Sequence, residues 1–310
     1  MKPMVRILVR AVLATVVLAL AAGACAKSTT SSQGGKKPKI SIASTNVGEN
    51  TIIAQMYAEA LKNKGYPVQT RLNLGSHEVL VPALERGEVD VYPAYLATDL
   101  EQYDKSAGLA TPDVNDDIAK LRQQLKPHGL AALDPSPAAD QNGFAVTKAT
   151  ADKDHLTKMS DLAPVASQMV IGAGPECRTR PFCLPGLQKT YGLNFKDFKT
   201  LDSCGPLTKN ALENGSIDIG LVCTTDGSIP VKGFVLLQDD KRLQLADNIV
   251  AIVRNQHATG EVATVLNDID AKLTTADLID LNRRADVNHE DPDALAVGWL
   301  RDHGFLKRTK

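Results

Sequence analysis

The chain has 310 residues, 43% of them hydrophobic but only 4% aromatic, and its 35 basic and 36 acidic side chains leave a formal net charge of -1. That balance excludes nucleic acid as a partner, because neutralising phosphates needs clustered Lys and Arg. The one basic run, Lys36-Lys37-Pro38-Lys39, is a short solvated or membrane-facing stretch.

At the start, Lys2, Arg6 and Arg10 precede an apolar run from Ala11 to Ala22 and the small residues Gly23 and Ala24. Basic, apolar, small is the order of a secretory signal, and the run is shorter than the about 20 apolar residues of a membrane-spanning helix. Residues 1–24 are therefore read as a signal peptide. Cys25 directly after Ala22-Gly23-Ala24 resembles the bacterial lipobox, whose cysteine takes a diacylglyceryl group; the departure is Ala22, where a larger aliphatic residue is preferred, and the alternative is ordinary cleavage. Residues 25–38 are small and polar and read as a flexible tether. Removing residues 1–24 takes away three positive charges and no acids, which moves the formal net charge from -1 to -4.

The remainder is long enough for two lobes and too long for one ordinary core. The first lobe, 39–140, is predicted as strand 39–44, helix 50–64, strand 67–74, helix 76–86 and strand 88–92. The first helix places Ile52, Ile53, Met56, Tyr57, Ala60 and Leu61 on one face and stops at Gly65. Ser76 is in N-cap position for the second, and Pro82 is expected to kink or shorten it. The second lobe, 141–243, is predicted as strands 143–148, 168–172, 198–201 and 216–223 with helices 185–191 and 206–214. The return segment, 244–310, carries a strand over 249–253 and helices over 275–285 and 292–303 that go back to the first lobe. Ala83-Leu84-Glu85-Arg86-Gly87 recurs 128 residues later as Ala211-Leu212-Glu213-Asn214-Gly215, and Ile40 to Ser44 overlays Gln168 to Gly172 at the same offset. Two matches at one offset point to two similarly built lobes. Alternating strands and helices of this length predict an α/β fold with mainly parallel sheets, whose ligand sits beyond the carboxyl ends of the strands.

Besides Cys25 there are four cysteines, Cys177, Cys183, Cys204 and Cys223, an even number that favours two disulfides in an exported chain. Of the three possible pairings, Cys177–Cys183 and Cys204–Cys223 are favoured, because Cys204 and Cys223 end strands of one lobe. Zinc is the rival, weakened by the lack of C-x-x-C and by scattered histidines.

Several motifs in one order then resemble the substrate-binding proteins of glycine betaine, carnitine and choline ABC importers (OpuAC/ProX-like), from about Lys39 to Phe305. Ser44-Thr45-Asn46-Val47-Gly48-Glu49-Asn50 is similar to the family's S-K-N-F-T-E-Q, Val91-Tyr92-Pro93-Ala94-Tyr95 to its Y-P-E-Y, and Thr225-Asp226-Gly227 to its S-T-D-G. Leu74-Gly75-Ser76 and Pro185-Gly186-Leu187 match as well. The resemblance implies a two-lobed periplasmic-binding-protein-like fold, a hinged clamp with the ligand cleft between the lobes, an ABC permease as partner, and a monomer on the outer face of the bacterial cytoplasmic membrane. It implies no cofactor.

It also implies an aromatic cage for a trimethylammonium head, which cannot donate hydrogen bonds and needs ring faces. By alignment the family's cage positions fall on Asn142, Lys209 and Cys223, so only Tyr92 and Tyr95 remain, and Lys209 pointing inward would repel a cation. The family's aromatic loop is replaced by Pro175 to Cys183, offering Glu176, Arg178 or Arg180. Two ligands follow: a quaternary-amine osmoprotectant, or a small polar or aromatic molecule, uncharged or hydroxyl-rich. The second would use Ser44, Asn46, Asn50, Ser76, His77, Asn142 and Thr224 for hydrogen bonds and Tyr92 or Tyr95 for stacking. Thr45, Thr225 and Asp226 complete the candidate set. Each has a plain structural role as its alternative: Ser44 and Ser76 as caps, Tyr92 as core, Asp226 holding its own turn, Arg178 and Arg180 as solvated charges. An exported hydrolase is the rival class, and neither G-x-S-x-G nor a histidine-rich metal motif is present.

Overall fold

The computed structural model describes residues 36–105, 108–245 and 247–307. The signal segment, Cys25 and nearly all of the tether lie outside the described residues. In chain order the first part runs β1 (Ile40–Ala43), α1 (Gly48–Asn63), β2 (Val68–Arg71), α2 (His77–Glu85), β3 (Val91–Tyr95), α3 (Leu96–Tyr103), α4 (Val114–Leu125) and β4 (Leu130–Ala132). After a crossing come β5 (Asn142–Thr147), α5 (Lys148–Asp154), β6 (Val170–Ala173), α6 (Leu184–Gly186), β7 (Asp197–Thr200), α7 (Pro206–Glu213), β8 (Ile219–Cys223) and β9 (Phe234–Leu236). A second crossing leads to β10 (Ile249–Arg254), α8 (Gly260–Asp270), α9 (Thr275–Asp286) and α10 (Pro292–Asp302).

These strands form two five-stranded sheets, ordered β2-β1-β3-β10-β4 and β7-β6-β8-β5-β9. Each has three neighbouring parallel strands followed by a reversed one, β10 or β5, that pairs antiparallel on both sides. The expectation of mainly parallel sheets is corrected accordingly. The reversed strands are the ones that follow the crossings, and a chain arriving from the other lobe enters the sheet from the opposite end. The matching strand orders give the offset of 128 a structural meaning, since β1 corresponds to β6, α2 to α7 and β3 to β8.

Local chemistry sets the element ends. Ile52, Ile53, Met56, Tyr57, Ala60 and Leu61 of α1 are all buried, in one core with β1, β10 and α8 to α10. Each of the larger ones contributes about 1.5–3 kcal/mol by leaving water. Asp113, Thr274 and Asp291 cap α4, α9 and α10 by accepting backbone N–H bonds. Ser76 sits at the N-cap of α2 but its hydroxyl makes no capping bond, and α2 keeps Pro82 inside yet ends at Glu85. Strand β3 begins at Val91 and runs to Tyr95 instead of ending at Tyr92, because β10 pairs along its whole length from Ile249↔Tyr95 to Val253↔Val91. No helix among the described residues is long and apolar enough to cross a membrane.

Candidate functional site

Between the strand ends of the two sheets lies a small cleft. One wall carries Thr45, Asn46, Ser76, His77, Tyr95 and Thr98; the other carries Asn142, Glu176, Arg180, Ser203 and the bonded pair Cys204–Cys223. Asp140 and Asp247 line it where the chain crosses between lobes. Both disulfides favoured from the sequence, Cys177–Cys183 and Cys204–Cys223, are present.

The loop after β1 is braced from beneath. Asn50 accepts the Thr45 N–H at 2.9 Å and donates to the Pro93 carbonyl at 2.8 Å. Ser44 accepts the Asn73 N–H at 2.9 Å and lies 3.2 Å from the Thr51 hydroxyl. Ser44 and Asn50 are fully buried and do not line the cleft, so their placement is that of supports, not ligand contacts. Thr45 does line it, and its hydroxyl, buried, has no hydrogen-bond partner among the described residues.

Tyr92 and Tyr95 cannot both face the ligand. They are three residues apart on β3, and side chains alternate with a period of two. Tyr92 turns into the core among Leu80, Leu84 and Leu100 and its hydroxyl donates to Asp99. Asp99 also accepts the Tyr95 N–H at 3.1 Å and lies 3.1 Å from Nδ1 of His77. This buried carboxylate therefore positions the two rings of the cleft, His77 and Tyr95, whose centroids are 6.1 Å apart.

Lys209 is also placed away from the cleft. Its ammonium is buried against Asp226 at 3.1 Å and Asp286 at 2.5 Å. Burial alone would lower its pKa, but the two carboxylates outweigh it and raise it. It is therefore a neutralised charge joining α7 to α9, and the feared repulsion of a cation does not arise. Asp226 holds Lys209 and its own turn, accepting from the Ser228 N–H and hydroxyl at 2.9 and 2.6 Å. Gly227 lets that turn meet α9, since a Cβ there would come within 2.6 Å of the Ile279 carbonyl oxygen. Arg178 points outward, its guanidinium 4.2 Å from the centre of the Phe198 ring, whereas Arg180 reaches across the cleft to Glu78. Thr224 donates to Asp140 at 3.0 Å and faces a separate cavity of the second lobe lined by Phe144, Met159 and Tyr191.

What sequence reasoning missed is the acidic floor. Asp140 accepts from the Thr224 hydroxyl and the Thr225 N–H, both at 3.0 Å. Asp247 accepts from Thr98 N–H and hydroxyl at 2.8 and 2.7 Å. Glu49 accepts from Tyr95 at 3.1 Å, Thr225 at 2.6 Å and Asn282 at 2.7 Å, and so ties α1 and α9 to the end of β8. Burial raises the Asp247 carboxyl to about 7, against the pull of its Thr98 bonds. Burial likewise raises Glu49, helped by the charge of Asp140, and raises Asp140 itself. One signal was available: Asp140 and Asp247 each stand two residues before a reversed strand.

Comparison with known proteins places this geometry. A family profile described as the substrate-binding domain of ABC-type glycine betaine transport systems matches residues 38–302. A glycine-betaine-binding protein of Pseudomonas aeruginosa is 27% identical over 271 residues, covering 83% of this chain and 86% of that protein. A carnitine transport binding protein of Listeria monocytogenes is 25% identical over 279 residues, covering 88% and 90%. The crystal structure of a glycine betaine/carnitine/choline ABC transporter protein is similar at a TM-score of 0.67 and 26% identity, over 86% of this chain and 99% of that one.

Proposed function

Because the chain belongs to the family of substrate-binding domains of ABC-type glycine betaine transport systems, we propose that its cleft captures a quaternary-ammonium molecule of the glycine betaine, carnitine and choline class for delivery to a permease. Members of this family work by binding solute and handing it to the importer. The observation that carries the ligand reading is the composition of the cleft: the rings of Tyr95 and His77 stand beside the carboxylates of Asp140 and Asp247. Ring faces and negative charge are what a cation without N–H donors can use. The electrostatic part replaces the ring faces absent at Asn142, Lys209 and Cys223. A neutral, hydroxyl-rich ligand is not favoured, because relatives named for glycine betaine and carnitine align along most of the chain.

Delivery requires that the ligand favour a closed clamp by touching both lobes. Thr45, His77 and Tyr95 contribute from one side, Asn142, Glu176 and the Cys204–Cys223 bond from the other. In the same reading residues 39–140 with 244–310 and residues 141–243 move as two bodies, and Cys25 carries the lipid that holds the monomer at the outer face of the membrane.

Thermal stabilisation by ligand tests the proposal. A member of this class at a hundredfold excess over its dissociation constant should stabilise the fold by about 2.7 kcal/mol. No response to choline, carnitine or glycine betaine would refute it.

A further inference from the structure

Resting on the reading of the cleft as a quaternary-ammonium site, we infer that this site selects by net charge: it takes a cation without a carboxylate in preference to a zwitterion, and takes it up in exchange for protons on Asp140 and Asp247, which line the cleft.

The argument is one of unmatched charge. Asp140, Asp247 and, behind them, Glu49 are buried, and among the described residues the hydrogen bonds they accept come from neutral groups: the hydroxyls of Thr98, Thr224, Thr225 and Tyr95, backbone N–H groups, and the Asn282 amide. Among the described residues, the titratable side chains facing them from the surrounding elements are already engaged. His77 of α2 pairs with Asp99 of α3, and Arg180 of the stapled loop pairs with Glu78. Lys209 of α7 is held by Asp226 and Asp286, and Glu176 adds a further carboxylate on the opposite wall. Buried carboxylates without a cationic partner either keep a proton or wait for a cation.

A trimethylammonium head satisfies that demand, and each proton it displaces leaves to solvent. The carboxylate of a zwitterion does the opposite, since it enters the same acidic space, where the cationic side chain among the described lining residues, Arg180, is already paired with Glu78. A hydroxyl is better received: Thr45 offers an unpartnered buried hydroxyl as donor and acceptor on the cleft wall. Both features favour a quaternary amino alcohol over a quaternary amino acid.

Calorimetric titration of the mature chain with choline and with glycine betaine, from about pH 5.5 to 8.5 in buffers of different ionisation enthalpy, reads both parts. The expected result is choline bound at least about tenfold more tightly at neutral pH, with affinity that rises with pH and protons released on binding. Asp247→Asn should narrow the preference and reduce the release, with Asp140→Asn as the second variant should the first not fold. Glycine betaine bound as tightly as choline, or choline binding that is flat in pH without proton release, would overturn the inference and leave the quaternary-ammonium reading standing. Silence from both ligands and from carnitine would overturn that reading and the inference with it.

Discussion

Arg180 and Glu78 meet across the mouth of the cleft through two parallel contacts, Nε to Oε1 at 3.2 Å and Nη2 to Oε2 at 3.1 Å. Arg180 is presented by the loop that Cys177–Cys183 closes, and Glu78 by the first turn of α2. Burial would raise the Glu78 carboxyl, but the guanidinium outweighs it and holds it at about 2. The pair is a partly exposed latch, so Arg180→Ala should change stability by no more than about 1 kcal/mol. It should instead speed ligand release, read by stopped-flow displacement; an unchanged release rate would show that the pair does not hold the clamp.

Lys209 is the opposite case. Its replacement by Met would leave Asp226 buried without its counter-charge, and breaking a buried pair from one side costs about 3–5 kcal/mol. Denaturant unfolding of Lys209→Met measures this directly. A loss below about 1 kcal/mol would mean that the Asp226 and Asp286 contacts are not made in solution.

The buried acids fix how stability follows pH. Asp247 and Asp270 have folded pKa values raised by burial from 3.8 to about 7 and about 8. Glu49 and Asp140 shift in the same direction. A raised carboxyl binds more protons folded than unfolded, so its stabilisation is present at low pH and fades as pH climbs through the folded value. Glu78 shifts the other way, and its stabilisation is lost only as pH falls from 4.5 toward about 2. The ligand-free chain should therefore melt at progressively lower temperature from about pH 5 to about pH 8. A melting temperature that rises over that interval would contradict the burial of these groups.

The bond between Cys204 and Cys223 closes a loop of sequence separation 19 while forming part of the cleft wall. Replacing both by Ser should cost about 3 kcal/mol by the loop-entropy relation and weaken ligand binding as well. Loss of stability with unaltered affinity would restrict the bond to a structural role.

Elements whose cause is local were legible in the sequence. The face of α1 and the strand core Ile40–Ala43 each follow from residues close in the chain, although the helices α3, α4 and α5 and the edge strands β4 and β9 went unrecognised, even with Asp113 standing as a local cap for α4. Long-range pairing was not legible. Tyr95 became part of β3 only because Ile249 of β10 pairs with it, and the same strand pleat sent Tyr92 to the far face. The acidic floor draws on positions 140 and 247, with Glu49 buried behind Tyr95 and Thr225, and no local pattern unites the three. Lys209 was misjudged because its partner Asp286 lies 77 residues away in another lobe's helix.

Equilibrium titration of choline, carnitine and glycine betaine against the mature chain and its Tyr95→Ala variant tests the central claim most directly. The account predicts saturable one-to-one binding of at least one of them by the unaltered chain, weakened about tenfold by loss of the ring. An unaltered chain that binds none of the three would contradict it.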